Sequence, residues 1–111
     1  MNLILFADGF VGLRITKWLL ENYLDDLGLI VTAADSEINK YASNKGLPNL
    51  VFRSEEKLLD ELAKSSLFDL GILAWWPTII STRLLSLATK GFFNTHPCKN
   101  ISFILYRIII T

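Results

Sequence analysis

Asp69-Leu70-Gly71-Ile72-Leu73-Ala74-Trp75-Trp76-Pro77 is the stretch on which the fold turns. Residues 69–74 form a short apolar run, as expected of a strand buried on both faces. Trp75-Trp76-Pro77 ends it, since proline has no N–H for a strand ladder. A strand buried on both faces needs neighbours on both sides, and the sequence supplies them. Residues 2–6 are a similar run, stopped by Asp8-Gly9. Residues 27–33 are another, bounded by Asp35 and Ser36, and residues 50–52 are a shorter one. After Gly91, Phe92-Phe93-Asn94 begin a fifth strand that runs into Thr95-His96-Pro97.

Helical patterns fill the gaps. Between residues 10 and 22, Val11, Ile15, Trp18, Leu19 and Asn22 share one helical face, mostly apolar. Residues 37–44 read as a short helix stopped by Gly46 and Pro48. Ser54 can cap a helix whose positive first turn favours Glu55 and Glu56, and whose buried stripe is Leu58, Leu59 and Leu62. A further helix is expected to start between Thr78 and Ser81, to run to about Thr89 and to stop at Gly91. Strands alternating with helices predict an α/β, Rossmann-like, three-layer fold with a parallel twisted sheet. Ligands in such sheets bind beyond the C-terminal strand ends. Gly9, Asp35, Trp75-Trp76-Pro77 and residues 94–97 all follow strands, so topology alone gathers them at one edge.

Composition narrows the function classes. A chain of 111 residues suggests one small domain, and 51% hydrophobic residues suffice for a core. Eleven basic residues balance eleven acidic ones, so the chain lacks the basic stripe of a nucleic-acid binder. Cys98 is the only cysteine, which excludes an intramolecular disulfide and a multi-cysteine metal site. A reducing, cytoplasmic setting fits that, and no metal is expected. The N-terminus MNLILFADGF lacks the basic start and cleavage site of a signal peptide. Residues 101–110 are apolar but carry Arg107 and are too few to cross a bilayer as a helix.

Three short motifs could carry chemistry. Ala7-Asp8-Gly9-Phe10-Val11-Gly12 fits a dinucleotide fingerprint except for alanine at its first glycine, and Asp35 sits where an acidic residue would meet a ribose. Any tight strand-to-helix crossing needs the same glycines, so both readings stand. Trp75 and Trp76 could wall a pocket for a flat heterocycle, or one of them, Trp75, packs into the core. In Asn94-Thr95-His96-Pro97, strand alternation puts Asn94 and His96 on one face. An amide donor beside an imidazole suits acyl transfer, one polarising a carbonyl oxygen and the other moving a proton. A lone histidine also commonly fills a plain surface or core position.

The segment 69–80, followed by Gly91-Phe92-Phe93-Asn94-Thr95-His96-Pro97, resembles the N-terminal domain of folate-dependent formyltransferases. That family includes methionyl-tRNA, glycinamide ribonucleotide and amino-sugar formyltransferases, and the Trp-Trp-Pro loop is most similar to the amino-sugar branch. Residues 1–98 share the overall layout. The resemblance implies N10-formyltetrahydrofolate as donor and an amine as acceptor, an amino sugar or methionyl-tRNA. It implies that His96 assists proton transfer and that Asn94 stabilises the oxyanion of the tetrahedral intermediate. Trp75, Trp76, Pro77, Thr78 and Ile79 correspond to the folate-lining segment. Asp8, Gly9, Phe10 and Val11 lie where several relatives bind acceptor phosphate groups.

The departures set further expectations. Cys98 replaces the family's serine, and the Leu-Pro and Arg-Gly elements are absent. The tail, residues 99–111, matches nothing in the family, whose catalytic aspartate lies further downstream. The fold is therefore expected to be incomplete at its C-terminus, as in a truncated or frameshifted form with little or no activity. The tail either pairs as a strand or promotes self-association. The competing functions are a Rossmann-like nucleotide-binding module and the non-catalytic product of a decayed gene.

Overall fold

The computed structural model describes residues 1–63, 67–97 and 103–108, with side chains followed as far as Thr95. Its centre is β1 (Leu3–Ala7), in which all five residues are buried. β2 (Leu27–Thr32) pairs with one side of β1 and β4 (Leu70–Ala74) with the other, both parallel. β3 (Asn49–Val51) extends the sheet beyond β2, and β5 (Phe92–Pro97) extends it beyond β4, again in parallel. β6 (Phe103–Ile108) adds an antiparallel edge strand on β5, so the order is β3-β2-β1-β4-β5-β6. The five parallel strands meet the sequence expectation. The antiparallel strand is how the tail pairs, while residues 98–102 and 109–111, Cys98 among them, lie outside the described residues.

Helices cover both faces. α1 (Gly9–Tyr23) and α2 (Glu37–Asn44) pack on one, burying Leu19, Leu20, Ile38 and Ala42 against Leu3, Leu5 and Ile30. α3 (Glu55–Leu62) and α4 (Thr82–Leu85) pack on the other, where Leu58 and Leu84 meet Ile4, Phe6, Val31 and Phe92. The helix starts follow capping chemistry. Ser36 and Asn39 form a reciprocal capping box, and the Ser54 and Ser81 hydroxyls accept from the amides of Lys57 and Leu84.

Two sequence expectations are corrected. α4 spans four residues and does not reach Thr89. Its continuation is diverted because the Leu87 carbonyl accepts from Phe68 N–H at 2.9 Å and Thr89 N–H donates to the Phe68 carbonyl at 2.9 Å. That pairing satisfies the same groups a longer helix would use. In α1 the buried residues are Gly12, Thr16, Leu19 and Leu20; of the expected face only Leu19 is buried and Ile15 is partly buried against the core, while Val11 is half-buried and Trp18 and Asn22 are exposed. Close approach selects Gly12. A side chain there would meet the Ala74 carbonyl oxygen at 3.1 Å and the Ala7 backbone at 3.2 Å. The Thr16 hydroxyl is accommodated by donating to the Gly12 carbonyl at 2.8 Å.

Candidate functional site

Strand order reverses at the β1–β4 boundary: the chain steps outward through β2 and β3, then crosses to the far side of β1. Loops leaving adjacent strands diverge at such a point and open a crevice at the C-terminal edge. Here they are held at their root by Asp8 N–H, which donates to the Ala74 carbonyl at 3.1 Å. Above it lies an open cleft of about 310 Å³, lined by Asp8, Trp75, Trp76, Pro77 and Asn94. That volume is at the lower end of the roughly 300–1,000 Å³ usual for small-molecule sites.

The two tryptophans exchange the roles expected from sequence. Trp76 is the one that packs inward. Its ring stands edge-on to Phe6 at 5.1 Å and to Phe52 at 5.8 Å, joining the core on the α3–α4 side. Trp75 is 47% exposed and holds a backbone φ of 61°, a left-handed conformation costly for a bulky residue. The turn explains the exchange. A left-handed residue immediately after β4 breaks the alternation, turning the first indole out over the β1–α1 loop. Gly9, itself at φ 67°, lies beneath it, where an added side chain would touch the Trp75 ring at 3.4 Å. Trp75→Gly is accordingly expected to leave stability unchanged or raise it by up to about 1 kcal/mol, because glycine adopts positive φ without clash. Trp76→Ala should lower stability by about 2 kcal/mol through lost ring packing. Urea unfolding of both variants checks the contrast, and equal losses would contradict it.

The remaining predicted residues separate. Thr78 and Ile79 continue the loop into solvent, Ile79 being 97% exposed, and neither lines the cleft. Phe10 is exposed and Val11 half-buried on the first turn of α1. The Asp8 side chain does not cap α1, so its carboxylate is left at the cleft wall. Asn94 lines the cleft from β5. His96 follows two residues later, its backbone paired with Ile104 of β6, and its side chain lies outside the described residues. Asp35 does not join the cleft. It borders a separate groove with Asn39, Lys40, Ser43 and Asn49, beyond β2 and β3. Sequence reasoning did not single out the polar network beside that groove. Asn39 accepts from the Thr32 hydroxyl at 2.9 Å and donates to Asn49 at 3.1 Å, tying β2, α2 and β3 together. The capping-box spacing from Ser36 to Asn39 was the available signal.

Among the described residues, no three histidine, cysteine, aspartate or glutamate side chains lie close enough to hold a metal ion. No described helix is long and apolar enough to cross a membrane.

The fold is that of folate-dependent formyltransferases. The chain is similar to the crystal structure of phosphoribosylglycinamide formyltransferase from Anaplasma phagocytophilum, with a TM-score of 0.67 and 17% identity over 86% of this chain and 49% of that one. It is equally similar to glycinamide ribonucleotide transformylase 1 from Symbiobacterium toebii, with a TM-score of 0.68 and 17% identity over 87% of this chain and 51% of that one. The chain thus spans about half the length of these solved structures. No family model and no curated protein sequence matches it.

Proposed function

We propose that this chain belongs to a formyl-transfer system in which N10-formyltetrahydrofolate donates a formyl group to an amine. One observation carries the reading. In a formyltransferase-like fold, the Trp75-Trp76-Pro77 loop, Asp8 and Asn94 converge on one cleft at the sheet's switch point. The indole and proline surfaces suit a flat heterocycle, and the cleft's polar groups stand at its edges. Thr78 and Ile79 extend that wall when the loop closes on a ligand. Bound there, the folate supplies an activated formyl carbonyl.

This chain's residues would do the rest. The Asn94 amide donates to the carbonyl oxygen as negative charge develops on it. His96, two residues on, takes the proton that the attacking amine must lose, and folate N10 gains a proton as the bond from the formyl carbon to N10 breaks and tetrahydrofolate leaves. Asp8, Gly9, Phe10 and Val11 receive the acceptor at the start of α1. An anionic group on the acceptor would sit against the helix amides, with the Asp8 carboxylate opposing it unless it turns to an amine. An amino sugar or the amine of methionyl-tRNA fits that acceptor class, in the cytoplasm. Self-association belongs to the same proposal, because β6 is an edge strand among the described residues.

Titration of tryptophan fluorescence with a folate analogue tests the reading. Exposed Trp75 should report binding with a dissociation constant of about 0.1–1 mM, since one wall of a pocket gives only about 4–5 kcal/mol. The response should disappear in Trp75→Gly. A response to NAD with none to the folate analogue would favour the nucleotide-binding reading, although Asp35 lies in a different groove from Asp8.

A further inference from the structure

Asp8 follows β1 and precedes the first turn of α1, and its backbone has the extended shape of a helix cap, with φ −147° and ψ 152°. An aspartate in that place ordinarily turns its carboxylate onto the first-turn amides. Here it does not. The side chain makes no cap hydrogen bond, joins no ion pair among the described residues, and lines the cleft. The other lining residues, Trp75, Trp76, Pro77 and Asn94, are uncharged, so the charge on the cleft wall is negative. Arg14, one turn into α1, stands over the Phe10 ring at 5.9 Å and does not line the cleft.

We propose that Asp8 is the specificity-determining residue of the cleft, excluding acceptors that present a phosphate to the start of α1 and holding those that present hydroxyl or ammonium hydrogens there. The inference rests on the proposed formyl transfer and names its acceptor class, an amine-bearing sugar without phosphate at that end. A phosphate binds a helix start through first-turn amides, which lack intrahelical acceptors and carry the positive end of the dipole. The Asp8 carboxylate denies them in either orientation. Turned onto the amides, it takes those hydrogen bonds itself. Turned to the cleft, it sets a like charge beside the phosphate, enough in water to weaken binding of a dianion about tenfold. Trp75 closes the remaining approach. Its φ of 61° brings the indole over Gly9, where an added side chain would touch the ring at 3.4 Å. A phosphate cradle needs bare backbone at such a glycine. The same two side chains suit a sugar. The exposed indole packs against the C–H face of the ring, and a carboxylate accepts from two hydroxyls or from an ammonium.

The test titrates the full isotope-labelled chain, without folate, with inorganic phosphate, glucosamine and glucosamine 6-phosphate. Nuclear magnetic resonance follows the amides of Gly9, Phe10 and Val11 and the indole N–H of Trp75. In the unsubstituted chain glucosamine should shift these signals and bind about tenfold more tightly than glucosamine 6-phosphate. Asp8→Asn should reverse the order, weakening glucosamine about tenfold and strengthening both phosphate-bearing probes about tenfold. Asp60→Asn, the same change of charge at an exposed position of α3, should alter none of them. A loosened structure cannot weaken one ligand while strengthening another, and thermal unfolding checks that each variant is folded. Phosphate binding to the unsubstituted chain as tightly as to Asp8→Asn overturns the proposal. So does equal weakening of all three probes in Asp8→Asn, or the absence of a glucosamine response in the unsubstituted chain. With no folate present, the two readings fail separately: reversal without folate binding keeps Asp8 as the selector and removes the donor, and folate binding without reversal does the opposite.

Discussion

Gly71→Ala is expected to destabilise the chain by about 3 kcal/mol, lowering Tm by about 10–20 °C. Gly71 lies in β4 opposite Phe92 of β5, and a methyl group at its Cα would overlap the Phe92 ring. That ring cannot swing aside. Phe92 is completely buried, stacks edge-on with Phe6 at 5.8 Å and belongs to the core between the sheet and α3–α4. Interiors are packed too densely to absorb the added volume without forcing side chains off their rotamers. Gly46 provides the control. Its φ is 74°, yet nothing lies within 4 Å of an added side chain, so Gly46→Ala should cost only the left-handed strain, about 1 kcal/mol. Thermal unfolding followed by circular dichroism compares the two. A Gly71→Ala loss no greater than that of Gly46→Ala would show that the Phe92 ring can be displaced.

Formyl transfer by the 111 residues alone is expected at or near background, and this prediction carries the largest effect on function. The groups proposed here divide the work: Asn94 for oxygen charge and His96 for one proton. By resemblance, a catalytic aspartate further along a full-length formyltransferase orients the histidine and supports its charge. Groups that act as a unit contribute non-additively, so loss of one can remove most of the rate. The cleft is also open, and water weakens each remaining electrostatic contribution, where a single buried oxyanion donor is otherwise worth roughly 10²–10³ in rate. The assay follows N10-formyltetrahydrofolate with amino sugars and methionyl-tRNA as acceptors. Robust turnover that vanishes in His96→Ala would mean that these residues suffice as an enzyme.

The sequence by itself determined the layer plan. Residues 3–7 and 70–74 are apolar at every position because a central parallel strand is covered on both faces, and that signal is local. Ser54 was legible as a helix start, since a cap is a contact within three residues, whereas Ser36 and Ser81, which cap α2 and α4 in the same way, were read only as the end of a strand run and as one limit of a helix start. The edge location of Asp8, Trp75 and Asn94 followed from strand direction alone. Tertiary structure decided what depends on which neighbour arrives. Composition cannot say that Trp76 meets Phe6 and Phe52 while Trp75 turns out over Gly9; a left-handed backbone at Trp75 decides it. Nor can periodicity say which face of α1 is buried, because it reports where apolar side chains lie and not where the sheet is. Close backbone approach at Gly12 fixed α1 against β1 and β4, and left Trp18 exposed. The pairing of Phe68 with residues 87–89 shortened α4 in the same way, as a contact between distant segments claimed hydrogen-bonding groups that local pattern had assigned to a helix.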